Sequence, residues 1–304
     1  MRIAKKIRLK IRYPDEKDIC VWLSCAYREY ATICNDSINA MPRIRPFKKR
    51  LIDLAVVTVS VFVASVATIS FNFNFLAATL LFFGLPAAYL TWRKPSNIRK
   101  VSLSAVTFGI VWGFSFDYIA EFNNAWNWAA NTDLVFPVRF FGVVSLDIMV
   151  WYFLWVFAIV AFYEYFVEYD FSRKISRRAL PILGTGLVVA VAVVALSKFA
   201  PTLLRFPFTY FWLGSFALLP YAYVVFRKPR LFLKTIAVAP FFIFLFLAFE
   251  ITALSADLWS FPGQYVGAVS IGTLSFPLEE FLFWIIASSV VAVGYHEHAV
   301  DDGR

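Results

Sequence analysis

The sequence predicts an all-α integral membrane protein with about eight transmembrane helices, arranged as two parallel four-helix repeats related by a pseudo-twofold axis. Three observations lead to this fold: the composition, the spacing of the apolar runs and an internal repeat. Of the 304 residues, 61% are hydrophobic and only 16% are charged, whereas about a quarter are charged in a typical soluble domain. A chain of this composition is expected to lie in a lipid bilayer.

Apolar runs of about twenty residues, the length that crosses a hydrocarbon core as a helix, recur along the chain. They begin near Leu51, Asn74, Val101, Val138, Leu180, Phe206, Leu231 and Tyr265. The last run is too long for one straight crossing, and Pro277 interrupts it because proline removes a backbone donor and crowds the preceding turn. We therefore expect a break or an irregular stretch near Ser275.

Lysine and arginine are concentrated in alternate loops. They fall in the segments 1–50, 93–100, 172–178 and 227–234. The intervening loops 121–137 and 255–264 have only Arg139 close by. Because basic loops stay on the cytoplasmic side, both termini are predicted in the cytoplasm and the protein in the cell membrane. The net charge of +9 then reflects topology and attraction to anionic lipid, and nucleic acid is not an expected partner.

The apolar runs divide the chain into three parts. Residues 1–50 are predicted to form a basic cytoplasmic extension, 51–170 the first membrane repeat and 171–304 the second. The cysteines lack the spacing of metal ligands; they are Cys20, Cys25 and Cys34. His296 and His298, which follow the last span, are expected to be solvated tail residues, so no metal site is predicted.

The repeat consists of three blocks that recur in the same order. The first block, Pro86-x-Ala88-Tyr89, recurs as Pro220-x-Ala222-Tyr223. The second block, Asp117-x-x-Ala120 with Trp126-x-Trp128, recurs as Glu250-x-x-Ala253 with Trp259-x-Phe261. The third block, Gly142-x-Val144-Ser145-Leu146, recurs as Gly267-x-Val269-Ser270-Ile271. Each half contains an even number of spans, so both halves enter the membrane in the same direction and the repeats are predicted to be parallel.

Two adjacent carboxylates, Glu279 and Glu280, follow Pro277 inside the last apolar run. A charge at membrane depth costs about 2.5–3.5 kcal/mol even on lenient scales, so such residues persist mainly where they serve a function. A dry site favours the neutral carboxyl, and a neutral carboxyl beside a carboxylate can both give and take a proton. The simpler interpretation is that both acids cap a helix that begins after Pro277.

Three further acids complete the predicted catalytic set. Asp117 and Glu250 occupy equivalent positions near the outer ends of their helices, and Asp147 is the acid that the first half offers. An alignment of Gly142 with Gly267 leaves the first half without paired acids. It places Tyr152, Leu154 and Trp155 opposite Pro277, Glu279 and Glu280.

Aromatic residues make up 19% of the chain. Apart from one proline, the residues expected to line a substrate site are aromatic: Trp126, Trp259, Phe261, Phe276, Pro277, Phe283 and Trp284. Aromatic faces stabilise cations, so acids in a dry aromatic chamber suit proton-driven cyclisation of an isoprenoid. The alternatives are an interfacial belt for the outer-loop tryptophans and ordinary core packing for the rings beside Glu279 and Glu280.

The Asp/Glu-x-x-Ala block with Trp-x-aromatic, followed by Pro277-Leu278-Glu279-Glu280-Phe281, resembles the membrane-integral lycopene cyclase family of archaea, fungi and some actinobacteria. The resemblance covers Leu51 to Tyr295. It implies two homologous halves and a non-redox conversion of the linear ends of lycopene into β-rings. Protonation of the terminal double bond would start the reaction, a ring-closed tertiary cation would follow, and loss of a ring proton would end it.

By the same resemblance, Glu279 and Glu280 carry the acid–base role, and no cofactor is required. The expected partners are a lipophilic, lycopene-like polyene and membrane lipid, and a homo-oligomer or an association with other carotenoid enzymes is compatible with the sequence. The family's flavin-dependent counterparts use a dinucleotide fold, whereas here Gly184-x-Gly186 lacks the third glycine of that fingerprint. The first half departs from the family because it lacks Pro-x-Glu-Glu, so Asp147 substitutes for this motif or the first half is a scaffold.

Two other functions remain open from the sequence. Parallel repeats with intramembrane acids also describe a proton-coupled membrane carrier, which would need a hydrated pathway from both sides. A cyclase would instead need an apolar slot that opens laterally to lipid. A non-catalytic membrane partner of another carotenoid enzyme is the third possibility.

Overall fold

A computed structural model describes residues 47–128, 135–136, 138–168 and 174–301. The described part begins with a helix at Phe47. The extension predicted over residues 1–50, with its cysteines, lies outside the described residues up to position 46.

Helices account for most of the described chain. Their bounds are α1 Phe47–Phe71, α2 Phe75–Arg93, α3 Pro95–Phe122, α4 Leu146–Phe166, α5 Ala179–Phe199, α6 Thr209–Arg227, α7 Pro229–Ile236, α8 Ala239–Ser255 and α9, which runs through Glu280–Ala287, Ser288–Tyr295 and His296–Val300. Ala105–Trp112 in α3 and Glu280–Ala287 in α9 are π-helical, a geometry that is often found at functional sites.

Six of these helices, α1 to α6, are long and apolar enough to cross a membrane. The pair α7 and α8, bent by 50° at a short break, raises the number to seven if it forms one span. The chain is therefore a mostly helical membrane protein, as predicted. The predicted eighth span corresponds to α9, which is not among the described helices that meet these criteria.

Local sequence explains where several helices begin. Asn74 accepts a hydrogen bond of 2.9 Å from the Ala77 N–H at the start of α2, and Ser145 accepts one of 3.3 Å from Ile148 at the start of α4. Such side chains satisfy backbone donors that the first helical turn leaves free. Pro229 begins α7, where a missing N–H costs nothing.

Short antiparallel strand pairs lie between the helices, which the all-α prediction did not include. β1 Asn127–Trp128 pairs with β4 Trp259–Ser260, β2 Arg139–Phe140 with β3 Val144–Ser145, and β5 Ala268–Ile271 with β6 Leu274–Pro277. The last two pairs are hairpins, and their turns contain Gly142 at φ +79° and Gly272 at φ +61°, a conformation that glycine adopts without strain.

The two hairpins correct two of the predicted span starts. The runs that begin near Val138 and Tyr265 form hairpins first, and their helices begin only after Ser145 and Pro277. The expected break near Ser275 is confirmed, because this residue lies in β6. Hydropathy extends through the hairpins because their strands are themselves apolar.

The bundle places α4 and α9 at its centre, with α1 and α5 at its periphery. Of the most apolar window of α4, 72% is buried, against 22% for α1 and 17% for α5. Between α2, α8 and α9 lies an aromatic core in which Phe83 contacts both Phe246 and Phe249, and Trp284 stacks on Phe246. The exposed faces of α1 and α5 are apolar, as expected for helices that face lipid.

Candidate functional site

A cavity of about 770 Å³ lies between α3, α4, α6 and α9. Carboxyls, tyrosines and tryptophans line one end: Asp117, Trp126, Tyr152, Tyr210, Trp259 and Glu280. The middle is almost wholly apolar. The other end reaches Tyr223, Tyr295 and His298. The cavity thus combines a dry, aromatic wall with acids at one end.

The structure separates the two adjacent glutamates. Glu280 lines the cavity, whereas Glu279 accepts a hydrogen bond of 2.6 Å from the backbone N–H of Val266. Both are buried, with 6% and 2% of their surface exposed, but consecutive positions on a helix point about 100° apart. Glu280 can therefore contact a molecule in the cavity, and Glu279 fixes the loop that precedes β5.

Glu280 forms a pair with Glu250 of α8. The two carboxyls lie close enough to interact electrostatically. The Tyr210 hydroxyl of α6 donates to Glu280, and the Trp259 indole N–H donates to Glu250 over 3.2 Å. The pair is thus held from both sides by rigid aromatic groups.

Asp117 forms a second carboxyl pair with Glu121, one turn further along α3. The Trp126 indole N–H donates to Asp117 over 3.1 Å, and Arg139 forms a salt bridge of 3.0 Å with Glu121. Asp117 is completely buried and lines the cavity. Tyr152 lies beside this pair and also within electrostatic range of Glu280.

Each pair is arranged to hold a proton. Asp117 Oδ2 and Glu250 Oε2 are buried oxygens that receive no hydrogen bond from an N–H or a hydroxyl in the described part of the chain. Two carboxyls can bond to each other only if one of them is protonated, and two adjacent carboxylates in a dry site do not both ionise. The acid end can therefore both donate and accept a proton.

Five of the seven predicted lining residues line this cavity: Trp126, Trp259, Phe261, Phe283 and Trp284. Phe276 and Pro277 do not, because they lie in β6, on the hairpin that precedes α9. The rings near the acids meet edge to face: Trp126 on Tyr210 at 5.0 Å and Trp259 on Trp284 at 6.3 Å between centroids.

Asp147 lies apart from the acid end. Its carboxylate accepts hydrogen bonds from the backbone N–H groups of Val135 and Phe136, at 2.7 and 3.2 Å. Glu279 makes the same kind of contact to Val266, and both acids are the second residue after a hairpin. Of the predicted catalytic set, the structure therefore brings together Asp117, Glu250 and Glu280, but not Asp147 or Glu279.

The positions of the hairpins also correct the alignment of Gly142 with Gly267. In the structure Gly142 and Gly272 are the turn glycines, and the helices after them begin with Leu146-Asp147 and Leu278-Glu279. In the predicted repeat, this places Asp147 opposite Glu279 and Ile148 opposite Glu280.

Sequence reasoning missed Tyr152, Tyr210 and Glu121 at the acid end. Tyr152 and Tyr210 each place a hydroxyl inside an apolar span, and this feature could have identified them, because a buried tyrosine hydroxyl needs a hydrogen-bond partner. Glu121 follows Asp117 by one helical turn, a spacing that places two side chains on the same face.

A second polar cluster lies outside the cavity lining, at the basic ends of the helices. Glu164, His296 and Asp301 are close enough to share a metal ion, but Lys100 already lies 2.5 Å from Asp301, and Lys94 lies 3.8 Å from Glu164. The expectation that His296 is a solvated tail residue is wrong, since it is completely buried.

The chain matches no protein-family model, and neither a curated protein nor a solved structure matches it.

Proposed function

We propose that the protein is a lycopene-type carotenoid cyclase, which forms β-ionone rings at the ends of a linear polyene by proton-initiated, non-redox cyclisation. The observation that carries this proposal is a long apolar cavity, walled by aromatic rings, with two buried carboxyl pairs at one end. Such a cavity suits a hydrocarbon that reacts with a proton and passes through a cation.

The proposed reaction uses the acid end in two steps. A proton from one carboxyl pair adds to the terminal double bond, and the resulting tertiary cation is attacked by a neighbouring double bond, which closes the ring. A carboxylate then accepts a ring proton, and the new double bond forms. Atoms and electrons balance without an oxidant or reductant. The residues that donate and accept the protons in this scheme are Glu280 with Glu250 and Asp117 with Glu121.

The surrounding rings have a defined part in this scheme. Trp126, Trp259 and Trp284 present aromatic surface at the acid end, and a cation over such surface gains about 0.5–2 kcal/mol. The same rings exclude water, which would otherwise capture the cation.

We further propose the two-repeat architecture with a pseudo-twofold axis along the membrane normal. Support comes from the hydrogen bonds of Trp126 to Asp117 and of Trp259 to Glu250, each between residues nine apart in the chain. The basic loops then face the cytoplasm of the cell, according to the positive-inside rule.

A lycopene-accumulating host provides the test. The wild-type chain should yield ring-containing pigment, and Glu280→Gln should lower its formation by about 10²-fold or more, the usual size of an acid–base contribution. Glu279→Gln is the matched control, because the amide oxygen can still accept the Val266 N–H. Red, acyclic pigment from the wild-type chain, or undiminished product from Glu280→Gln, would remove the proposal.

A further inference from the structure

One face of α9 lines the cavity over its whole length. Residues at helical spacing form this stripe: Glu280, Trp284, Ala287, Val291, Tyr295 and His298. From Glu280 to His298 the rise is at most roughly 27 Å at about 1.5 Å per residue, since part of α9 is π-helical, and this is close to the thickness of a hydrocarbon core, about 30 Å. A polyene of bilayer length that lay along this face with one end at Glu280 would have its other end near His298.

The contacts of His298 determine which of its ring nitrogens is a donor. Nη1 of Arg178 lies 3.4 Å from both Nδ1 and the backbone oxygen of His298. A guanidinium can only donate hydrogen bonds, so Nδ1 accepts and the proton of a neutral imidazole is on Nε2.

Tyr223 of α6 brings a second polar group to this end of the cavity. Tyr223 is exposed, its hydroxyl accepts a hydrogen bond of 3.3 Å from Nε of Arg227, and the hydroxyl proton has no acceptor within the described residues. The wall between these two groups and the acids is almost wholly apolar, so the cavity has polar groups at both ends.

We infer that the end of the cavity at His298 and Tyr223 is a binding site for a hydroxyl group on the unreacted end of a linear polyene. This inference rests on the proposed function and narrows its substrate class: the chain takes polyenes with one hydrocarbon end, which reacts, and accepts a hydroxyl at the other. The acid end and the polar end then fix the direction in which the polyene lies.

The test measures binding of two polyenes to the purified full chain in lipid nanodiscs. Lycopene and its 1-hydroxy derivative are titrated, and quenching of tryptophan fluorescence reports occupancy of the tryptophan-lined cavity. The wild-type chain should prefer the hydroxylated polyene by about fivefold, the size of one hydrogen bond. His298→Phe should reduce this preference to about one while the affinity for lycopene stays within about twofold.

Two variants complete the design. Ser288→Ala, in the middle of the cavity, should leave the ratio of the two affinities unchanged. Tyr223→Phe, which removes only a hydroxyl, should lower the ratio even if His298→Phe does not fold.

Equal wild-type affinities, an undiminished preference in both end variants, or no binding of either polyene would overturn the inference. Ring formation from lycopene without any preference would reject the inference and leave the proposed function standing. A preference that His298→Phe abolishes, without a ring from either polyene, would reject the function and leave the binding site standing.

Discussion

Asn127 lies directly opposite Ser260 in the antiparallel pair of β1 and β4. In the proposed repeat these two residues are equivalent, because Trp126 corresponds to Trp259 and each of the two residues directly follows its tryptophan. Two antiparallel strands are related by a local twofold axis. Where a residue of one strand lies opposite its own counterpart in the other, this axis passes between the two residues. This register supports the proposed pseudo-twofold arrangement of the two halves.

The same correspondence relates the cavity wall to the aromatic core. Gly113 and Ala217 line the cavity, and their counterparts in the other half are Phe246 and Phe83. These two phenylalanines are fully buried, and their ring centroids lie 6.2 Å apart. Together with Ile148 opposite Glu280, they favour the interpretation that the pseudo-twofold axis relates two equivalent positions between the halves, one open as the cavity and the other filled by side chains.

Removal of the Tyr210 hydroxyl tests the support of Glu280. Tyr210→Phe should slow ring formation about tenfold, since one hydrogen bond worth about 1.4 kcal/mol is lost, while polyene affinity stays nearly constant because the ring remains. Initial rates and binding titrations separate the two effects. Tyr118→Phe, whose hydroxyl bonds to Ser197 outside the cavity lining, is the control, and equal rates for both variants would contradict this role.

The two tryptophan-to-acid hydrogen bonds allow the roles of the two carboxyl pairs to be compared. Trp259→Phe should impair ring formation more than Trp126→Phe if Glu250 and Glu280 supply the first proton, since each change removes one donor to one carboxyl pair. Losses of about 0.5–1.5 kcal/mol, or roughly 2- to 10-fold in rate, are expected. Equal losses would indicate that both pairs contribute alike, and no loss in either variant would argue against a catalytic role for the pairs.

Much of this architecture was readable from the sequence, and the exceptions have physical causes. Hydropathy predicted most of the spans and Pro277 predicted the break, because each depends only on residues that are neighbours in the sequence. The strands after Val138 and Tyr265 are as apolar as the spans, so hydropathy could not separate them from helix. Only the turn glycines, Gly142 and Gly272, marked them.

The site was predicted in part for a similar reason. A motif names Glu279 and Glu280 together, but which of them faces the cavity depends on where the helix begins. Tyr210 and Glu121 contact the acids across helices or along one turn, and their role follows from packing. Pairing between distant residues is not contained in local sequence spacing.

Gly214 allows α6 to approach α9 closely. A Cβ at this position would lie 2.3 Å from the ring of Phe283, which lines the cavity. Gly214→Ala should therefore lower the free energy of unfolding by about 1–3 kcal/mol through overpacking, and the displaced ring should weaken polyene binding. Thermal unfolding in detergent and the polyene titration measure both.

Gly184→Ala is the matched control for this change. No atom lies within 4 Å of a Cβ built at Gly184, and alanine favours a helix by up to about 1 kcal/mol over glycine. The control should leave stability unchanged or raise it. Equal behaviour of the two alanine variants would show that the close approach at Gly214 is not important.

Lys100 and Asp301 form a salt bridge of 2.5 Å that joins α3 to the residue after α9, with 2% and 6% of their side chains exposed. Lys100→Met should lower the free energy of unfolding by about 3–5 kcal/mol, because it removes the lysine that neutralises a buried carboxylate. The same change at the exposed Lys198 should alter the free energy of unfolding by no more than about 0.5 kcal/mol.

Replacement of both partners by apolar residues, Lys100→Met with Asp301→Leu, should recover most of the loss, since a well-packed apolar pair can substitute for a buried ion pair. Unfolding in mixed micelles measures all three variants, and a loss below about 1 kcal/mol for Lys100→Met would show that this ion pair does not hold the basic ends of α3 and α9 together.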